Sequence, residues 1–210
     1  MQLFSLNDAL SNTALRLQTD GKLTQWSAAV RGKQPAAPLW AQQYTAGSQL
    51  RDFLWTGLSG TCTISDRVVA LLQDHAISGW NTYPVELYDA AGRLIQGYAG
   101  LGVTGRYAGR LSFDKRESAV VYLMAPSGKP FPHFKGLQFD SALWDGSDLF
   151  MDTCGSGYVL TTERVAKLFK KHKVTNCKFE RIEDMQLLAQ EHKIIRAELV
   201  SNFETPSRTD

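Results

Sequence analysis

The sequence predicts an α+β protein made of two related strand–helix units, about 53–80 and 150–177, with antiparallel sheet between and around them. Two observations carry this expectation: an internal repeat, and within each copy a change from extended to helical periodicity. At an offset of 97, FLWTGLSGTCTISDRVVALLQDHAI (53–77) lies over FMDTCGSGYVLTTERVAKLFKKHKV (150–174) without a gap. Eight pairs are identical: Phe53/Phe150, Thr56/Thr153, Ser59/Ser156, Gly60/Gly157, Arg67/Arg164, Val68/Val165, Leu71/Leu168 and His75/His172. So many matches inside one structural unit point to duplication.

Each copy starts with a short strand, 61–64 or 158–161, followed by a hydroxyl residue placed as an N-cap, Ser65 or Thr162. The hydroxyl can accept from a first-turn amide, and Asp66 or Glu163 faces the positive end of the helix dipole. Apolar side chains then recur at helical spacing through Val68, Leu71 and Leu72, and through Val165, Leu168 and Phe169. Gly79 and Asn176 stand past the helix ends, where a left-handed residue closes a helix. The segments 83–88 and 177–181 read as extended. Between the copies, VELYD, a turn at 90–92 and RLIQGYA form a hairpin pattern, and SAVVYLMA reads as a buried strand. Pro35 and Pro38 mark a loop over 33–38. After Glu183 the pattern suggests a short helix over 185–190, a strand at KIIRAELV and a frayed polar tail. The division expected is an N-terminal half, 1–130, and a C-terminal half, 131–210, with the boundary near 128–135.

Composition narrows the function. The chain has 210 residues with a net charge of +2, which gives no overall field for holding nucleic acid or an anionic membrane. Its N-terminus lacks the pattern of a secretory signal, and its longest apolar run, 119–125, is far short of the roughly 20 residues a spanning helix needs. Cys62, Cys154 and Cys177 are odd in number and form no C-x-x-C pair, against both a disulfide framework and a zinc cluster. A cytoplasmic location is expected.

The individual motifs favour structural readings. Gly100, Gly102 and Gly105 satisfy G-x-G-x-x-G, but no helix pattern follows, so strand or turn glycines are expected rather than a dinucleotide site. His75, His133, His172 and His192 have no carboxylate or thiol in supporting sequence positions; His75 and His172 fall in last helical turns, where an imidazole can cap carbonyls. Cys154 lies in a loop without a nearby base to lower its pKa. Lys167, Lys170, Lys171 and Lys173 make the most basic helix, whose first-copy counterpart has Arg67 as its basic residue. A solvated face is the plainer reading of these lysines, as they have no interleaved aromatics for stacking bases.

The turn Trp144-Asp145-Gly146-Ser147-Asp148, the strand before Thr162-Glu163-Arg164, the helix through His172, and Asn176-Cys177-Lys178-Phe179 resemble a bacterial family once labelled a domain of unknown function and now grouped among immunity proteins of polymorphic toxin systems. The similarity covers about 97–183 and includes Gly102-Val103-Thr104-Gly105-Arg106. It implies a non-enzymatic protein without cofactor or metal, whose partner is a cognate toxin encoded by a neighbouring gene. From Gly136 to Glu163 the chain has no Lys or Arg, while Asp140, Asp145, Asp148 and Asp152 fall close together. Turn formation is the plainer account of these acids. Carboxylates that occupy a toxin's cationic groove are the sharper one, with Asp145, Asp148 and Asp152 as partner-contact candidates. The alternative from a different class is an enzyme or small-molecule-binding protein with a cleft between the halves, using His133 or Cys154.

Overall fold

The computed structural model describes residues 2–44, 47–113, 119–124, 130–154 and 157–188. In chain order its first half contains β1 (Leu3–Asp8), β2 (Leu17–Thr19), α1 (Leu23–Val30), β3 (Leu39–Gln43), β4 (Phe53–Trp55), β5 (Cys62–Ser65), α2 (Asp66–Asp74), β6 (Trp80–Tyr83), β7 (Val85–Tyr88) and β8 (Leu94–Ile95). There follow β9 (Tyr98–Val103), β10 (Gly105–Tyr107), β11 (Ala119–Met124), β12 (Pro130–Lys135), β13 (Leu149–Asp152), β14 (Leu160–Thr162), α3 (Glu163–Lys171), β15 (Cys177–Arg181) and β16 (Gln186–Leu188). The fold is α+β, as expected.

Two compact units result, Met1–Leu111 with Phe139–Arg181, and Ser112–Gln138 with Ile182–Asp210. This partition differs from a division into 1–130 and 131–210. The expected boundary falls between β11 and β12, which pair antiparallel from Ala119↔Lys135 to Met124↔Pro130, so a cut there would split a hairpin.

The duplication organises the larger unit. In one sheet the order is β4-β5-β9-β6; in the other it is β10-β13-β14-β1-β15. Strand pairing fixes the equivalences. Phe53 lies opposite Ile64, and Leu149 lies opposite Thr161, the counterpart of Ile64. Phe53 therefore corresponds to Leu149, not to Phe150, and the offset before the hairpin loop is 96 rather than 97. The loop of the second copy is one residue longer, so the identities Phe53/Phe150 and Thr56/Thr153 are coincidences of an ungapped alignment. The same shift brings Asp52 onto Asp148. From the returning strand onward, Arg67/Arg164 and His75/His172 keep their correspondence.

Each hairpin is joined by a strand from the opposite end of the duplication. Ala99 of β9 lies opposite Ile64, whereas Phe4 of β1 lies opposite Thr161. On the other side, Val103 pairs with Trp80 and Asp8 with Cys177. β1 precedes the first hairpin yet completes the second copy's sheet; β9 precedes the second hairpin yet completes the first's. After β9 the chain continues as β10, parallel to β13, and after β1 it forms parallel bridges from Ala14 to Gln49 and from Leu17 to Thr56. The two copies have thus exchanged their leading strands within one chain.

Equivalent faces of the two sheets, with their helices, share one core that includes Phe53, Ile64, Val68, Leu72 and Leu101 from one copy and Leu6, Leu149, Val165 and Phe169 from the other. The opposite face of the first copy is covered by α1 and by the sheet β2-β3-β7-β8, through Trp26, Leu39, Leu54, Tyr83 and Leu87. Both main helices end at a histidine C-cap followed by a left-handed residue, Ala76 (φ 46°) or Lys173 (φ 51°). Ile77 N–H donates to Leu72 O and Ala76 N–H to Gln73 O; Val174 and Lys173 repeat the pattern onto Phe169 and Lys170. This is the Schellman arrangement. Gly79 and Asn176 are also left-handed, but stand further on, just before β6 and β15, so they do not close the helices. Thr162 also departs from expectation: its hydroxyl makes no cap, whereas Ser65 accepts from Val68 N–H.

The smaller unit contains the sheet β11-β12-β16, and its Phe113, Phe134, Leu137, Ile182 and Met185 are buried. The helix expected over 185–190 is instead strand at 186–188, paired with β12 from Lys135↔Gln186 to His133↔Leu188. A short segment with weak helical periodicity gains ladder hydrogen bonds by adding to an existing strand. The strand expected at KIIRAELV and the polar tail lie outside the described residues.

Candidate functional site

The repeated polar residues form two matching ion-pair knots. Asp52, just before β4, accepts from Arg67 Nη1 at 2.9 and 2.8 Å, from Ser65 Oγ at 3.0 Å, and from Thr175 N–H and Oγ1 at 2.8 and 2.9 Å. Asp148, just before β13, accepts from Arg164 Nη1 at 3.0 Å, from Thr162 Oγ1 at 2.9 Å, and from Ser78 N–H and Oγ at 3.1 and 3.2 Å. Each arginine also reaches the helix end of the other copy: Arg67 Nη2 donates to His172 O, and Arg164 Nη2 to His75 O. Burial pushes the Asp52 carboxyl up, but donation from Thr175, Arg67 and Ser65 outweighs it and holds the group below its ordinary value. The knots join one copy's hairpin and helix start to the other copy's helix end. Between them the His75 and His172 rings meet edge to face, their centroids 5.4 Å apart, and His75 Nδ1 lies 3.1 Å from Leu71 O. These side chains hold the duplication together.

The three aspartates singled out from the sequence have different environments. Asp148 is 8% exposed and belongs to a knot. Asp152 is fully buried and accepts from Leu111 N–H at 3.1 Å. Asp145 lies in an exposed turn, where Ser147 N–H and Arg106 N–H donate to it at 3.0 and 2.6 Å. Burial raises the Asp145 carboxyl, but the Ser147 hydroxyl and N–H and the Arg106 N–H and charge lower it further, to below its ordinary value. Asp145 alone of the three presents its carboxyl group on an exposed residue.

The other motifs resolve as structural features. Gly102 lies in β9, and a Cβ there would stand 3.0 Å from Ala29 O of α1, so the glycine admits the helix. A strand, β10, begins at Gly105, where a dinucleotide site would start a helix. Cys62 is buried, which pushes its thiol far up, and burial with the charge of Asp52 pushes Cys177 up to about 12. Cys154 is exposed beside a loop whose residues 155 and 156 lie outside the described residues. A crevice of about 230 Å³ between the copies is lined by residues including Asp8, Thr56, Ser59 and Tyr158, but not by Cys154 or His133.

A larger concavity, about 580 Å³, lies between α3 and β15. Phe4, Phe169, Val174, Cys177 and Phe179 line it with apolar surface, Glu163, Lys167, Lys170 and Lys173 line it from α3 and the turn after it, and Lys178 borders it on β15. Phe179 packs against Phe4 and Phe169 with ring centroids 6.4 and 5.8 Å apart. Lys167 pairs with Glu163 at 3.0 Å; among the described residues no ion pair engages Lys170, Lys173 or Lys178. The charge of this helix is legible in the sequence but the groove is not, because Phe4 reaches it only through the exchanged strand β1.

The first copy supplies an internal control. By the 97-residue correspondence, the four lysines match Ala70, Gln73, Ala76 and Asn81, and Cys177 matches Trp80. The Trp80 indole packs on the shared core and donates to Ile77 O at 2.8 Å, filling space that a cysteine leaves open. Asn81 donates to Gly32 O at 3.0 Å, anchoring the chain after α1. The fold thus does not require lysines at these positions.

Among the described residues no group of three or more His, Cys, Asp or Glu side chains is arranged to hold a metal ion, and no helix is long and apolar enough to cross a membrane. No protein-family model matches the chain, and no curated protein matches it.

Proposed function

We propose that this is a cytoplasmic immunity protein that binds one cognate bacterial toxin and neutralises it by covering the toxin's active site. The observation that carries the reading is the groove between α3 and β15: the copy that bears the resemblance to immunity proteins has an open, charged, apolar-floored surface where the other copy has Trp80 and uncharged side chains. The most conspicuous polar side chains, in the Asp52 and Asp148 knots and the His75–His172 pair, are occupied in holding the copies together. Such a protein acts through complementarity rather than chemistry, and a stable complex buries about 1,200–2,000 Å². Of the three acids, Asp145 is the one whose exposure suits a partner contact.

The reading is tested by co-purification with the polypeptide encoded beside this gene, titration calorimetry on the pair and a toxicity-rescue assay. A tight one-to-one complex with rescue is expected. A stable, soluble neighbour that neither binds nor is neutralised would overturn it.

A further inference from the structure

We propose that the groove between α3 and β15 binds an acidic, extended segment of a protein partner, which adds to the outer edge of β15 and lays an apolar side chain on Phe4, Phe169 and Phe179. β15 is the last strand of its sheet, paired with β1 on one side, and among the described residues no strand pairs with its other side. An open edge offers main-chain hydrogen bonds to an added strand, and an adjacent pocket gives that addition side-chain selectivity. Here the floor is apolar and Lys167, Lys170 and Lys173 line its α3 side, outnumbering the one acid there, Glu163, which suits a segment whose carboxylates flank an aromatic or branched aliphatic residue. Lysines are also used to blunt sheet edges against aggregation. That role accounts for Lys178, which lies on the strand, but not for Lys167, Lys170 and Lys173, which lie on α3 or immediately after it.

Comparison of the copies separates this charge from the needs of the fold. Both copies retain the arginine, aspartate and histidine of the knots, while the groove positions differ in charge at every lysine and in volume at Cys177/Trp80. An acidic partner segment also differs from the sequence-based expectation of acidic side chains on this protein meeting a cationic toxin. The chemistry of the groove stands on its own residues; only the identification of the partner as a toxin rests on the immunity reading.

The test titrates the isotope-labelled full chain with two synthetic peptides of equal apolar content, Glu-Glu-Val-Phe-Val-Glu-Glu and Lys-Lys-Val-Phe-Val-Lys-Lys, both blocked at their ends. The acidic peptide is expected to shift the amides of Ala166, Lys170, Val174, Cys177 and Phe179, and the basic one to leave them in place. The K167E/K170E/K173E variant should weaken acidic-peptide binding by at least about tenfold, since three exposed ion pairs are lost. Cys177→Trp, which copies Trp80 into the groove, should abolish binding, and Lys170→Glu serves if the tryptophan disturbs folding. No shift with acidic peptide up to about 1 mM, a range that detects even weak contacts, would overturn the proposal. So would equal response to both peptides, shifts elsewhere, or preferential binding to phosphatidylglycerol vesicles. If the neighbouring gene product binds and is neutralised but the acidic peptide gives no shift, the groove proposal fails and the immunity reading stands. If the acidic peptide binds as described but the neighbour neither binds nor is neutralised, the reverse holds.

Discussion

The two copies agree where they hold each other and differ where they meet solvent. Asp52 and Asp148 accept from an arginine, a hydroxyl at the helix start, and a hydroxyl and backbone amide just past the other copy's helix. Outside this network, the first copy fills its helix–strand edge with Trp80 and ties Asn81 to the chain after α1, whereas the second leaves Cys177 and Lys178 at an open edge. The knots close a reciprocal interface, so loss of either would strain both copies. The groove has no such obligation, which leaves its side chains able to follow a partner.

The comparison is broken most severely through the exchanged strands. Leu6 of β1 and Leu101 of β9 occupy equivalent places and are 3% and 2% exposed in the same core. Leu6→Ala and Leu101→Ala should each cost about 2–5 kcal/mol, as large-to-small core changes do. Denaturant unfolding should give similar losses for the two. A loss below 1 kcal/mol at Leu6 with the usual cost at Leu101 would mean that β1 is not the structural counterpart of β9.

A smaller effect is expected at the knots. Asp52→Ala or Asp148→Ala should cost about 1–3 kcal/mol, because hydroxyl and amide donors that are only partly open to water lose a charged acceptor, while the half-exposed arginine recovers part of its interaction from water. Matched losses would sharpen the equivalence, and a strong disparity would show that one knot dominates. The Asp52 carboxyl, held below its ordinary value of 3.8, adds stability above that pH and loses it as the pH falls through the folded-state value. The stability gap between the parent and Asp52→Asn should therefore be wider at pH 7 than at pH 3. An equal gap at both would contradict a depressed carboxyl.

What the sequence disclosed about these copies follows the range of the interactions. Strand, helix start and apolar stripe are local, so β5 with α2 and β14 with α3 stand out in the periodicity. The exchange of β1 and β9 depends on pairing between distant segments, and residue periodicity has no signature for that. The one-residue insertion in the second hairpin loop was hidden because an ungapped overlay supplied two false identities, Phe53/Phe150 and Thr56/Thr153, and concealed the Asp52/Asp148 match. Likewise the lysines of α3 were visible as charge, but their apolar floor was not, since it joins Phe4 to Phe179 across nearly the whole chain. The segment 186–188 is not legible as a strand in its own spacing, because its partner β12 makes it one.

The smallest expected effect examines the helix ends, where the copies share a feature that composition conceals. Ala76 and Lys173 both adopt left-handed backbone, although each carries a Cβ that crowds the following carbonyl there. Glycine removes that clash, and at a position already fixed with φ near 46° its extra freedom in the unfolded chain offsets only part of the gain. Ala76→Gly should therefore stabilise the protein by up to about 1 kcal/mol, read as a higher denaturant midpoint with an unchanged slope. Ala76 is exposed, so no core contact is lost to obscure the result. A destabilisation of similar size would mean that the Schellman closure after α2 depends on the alanine methyl rather than on backbone geometry, and that the two helix ends are alike only in their hydrogen bonds.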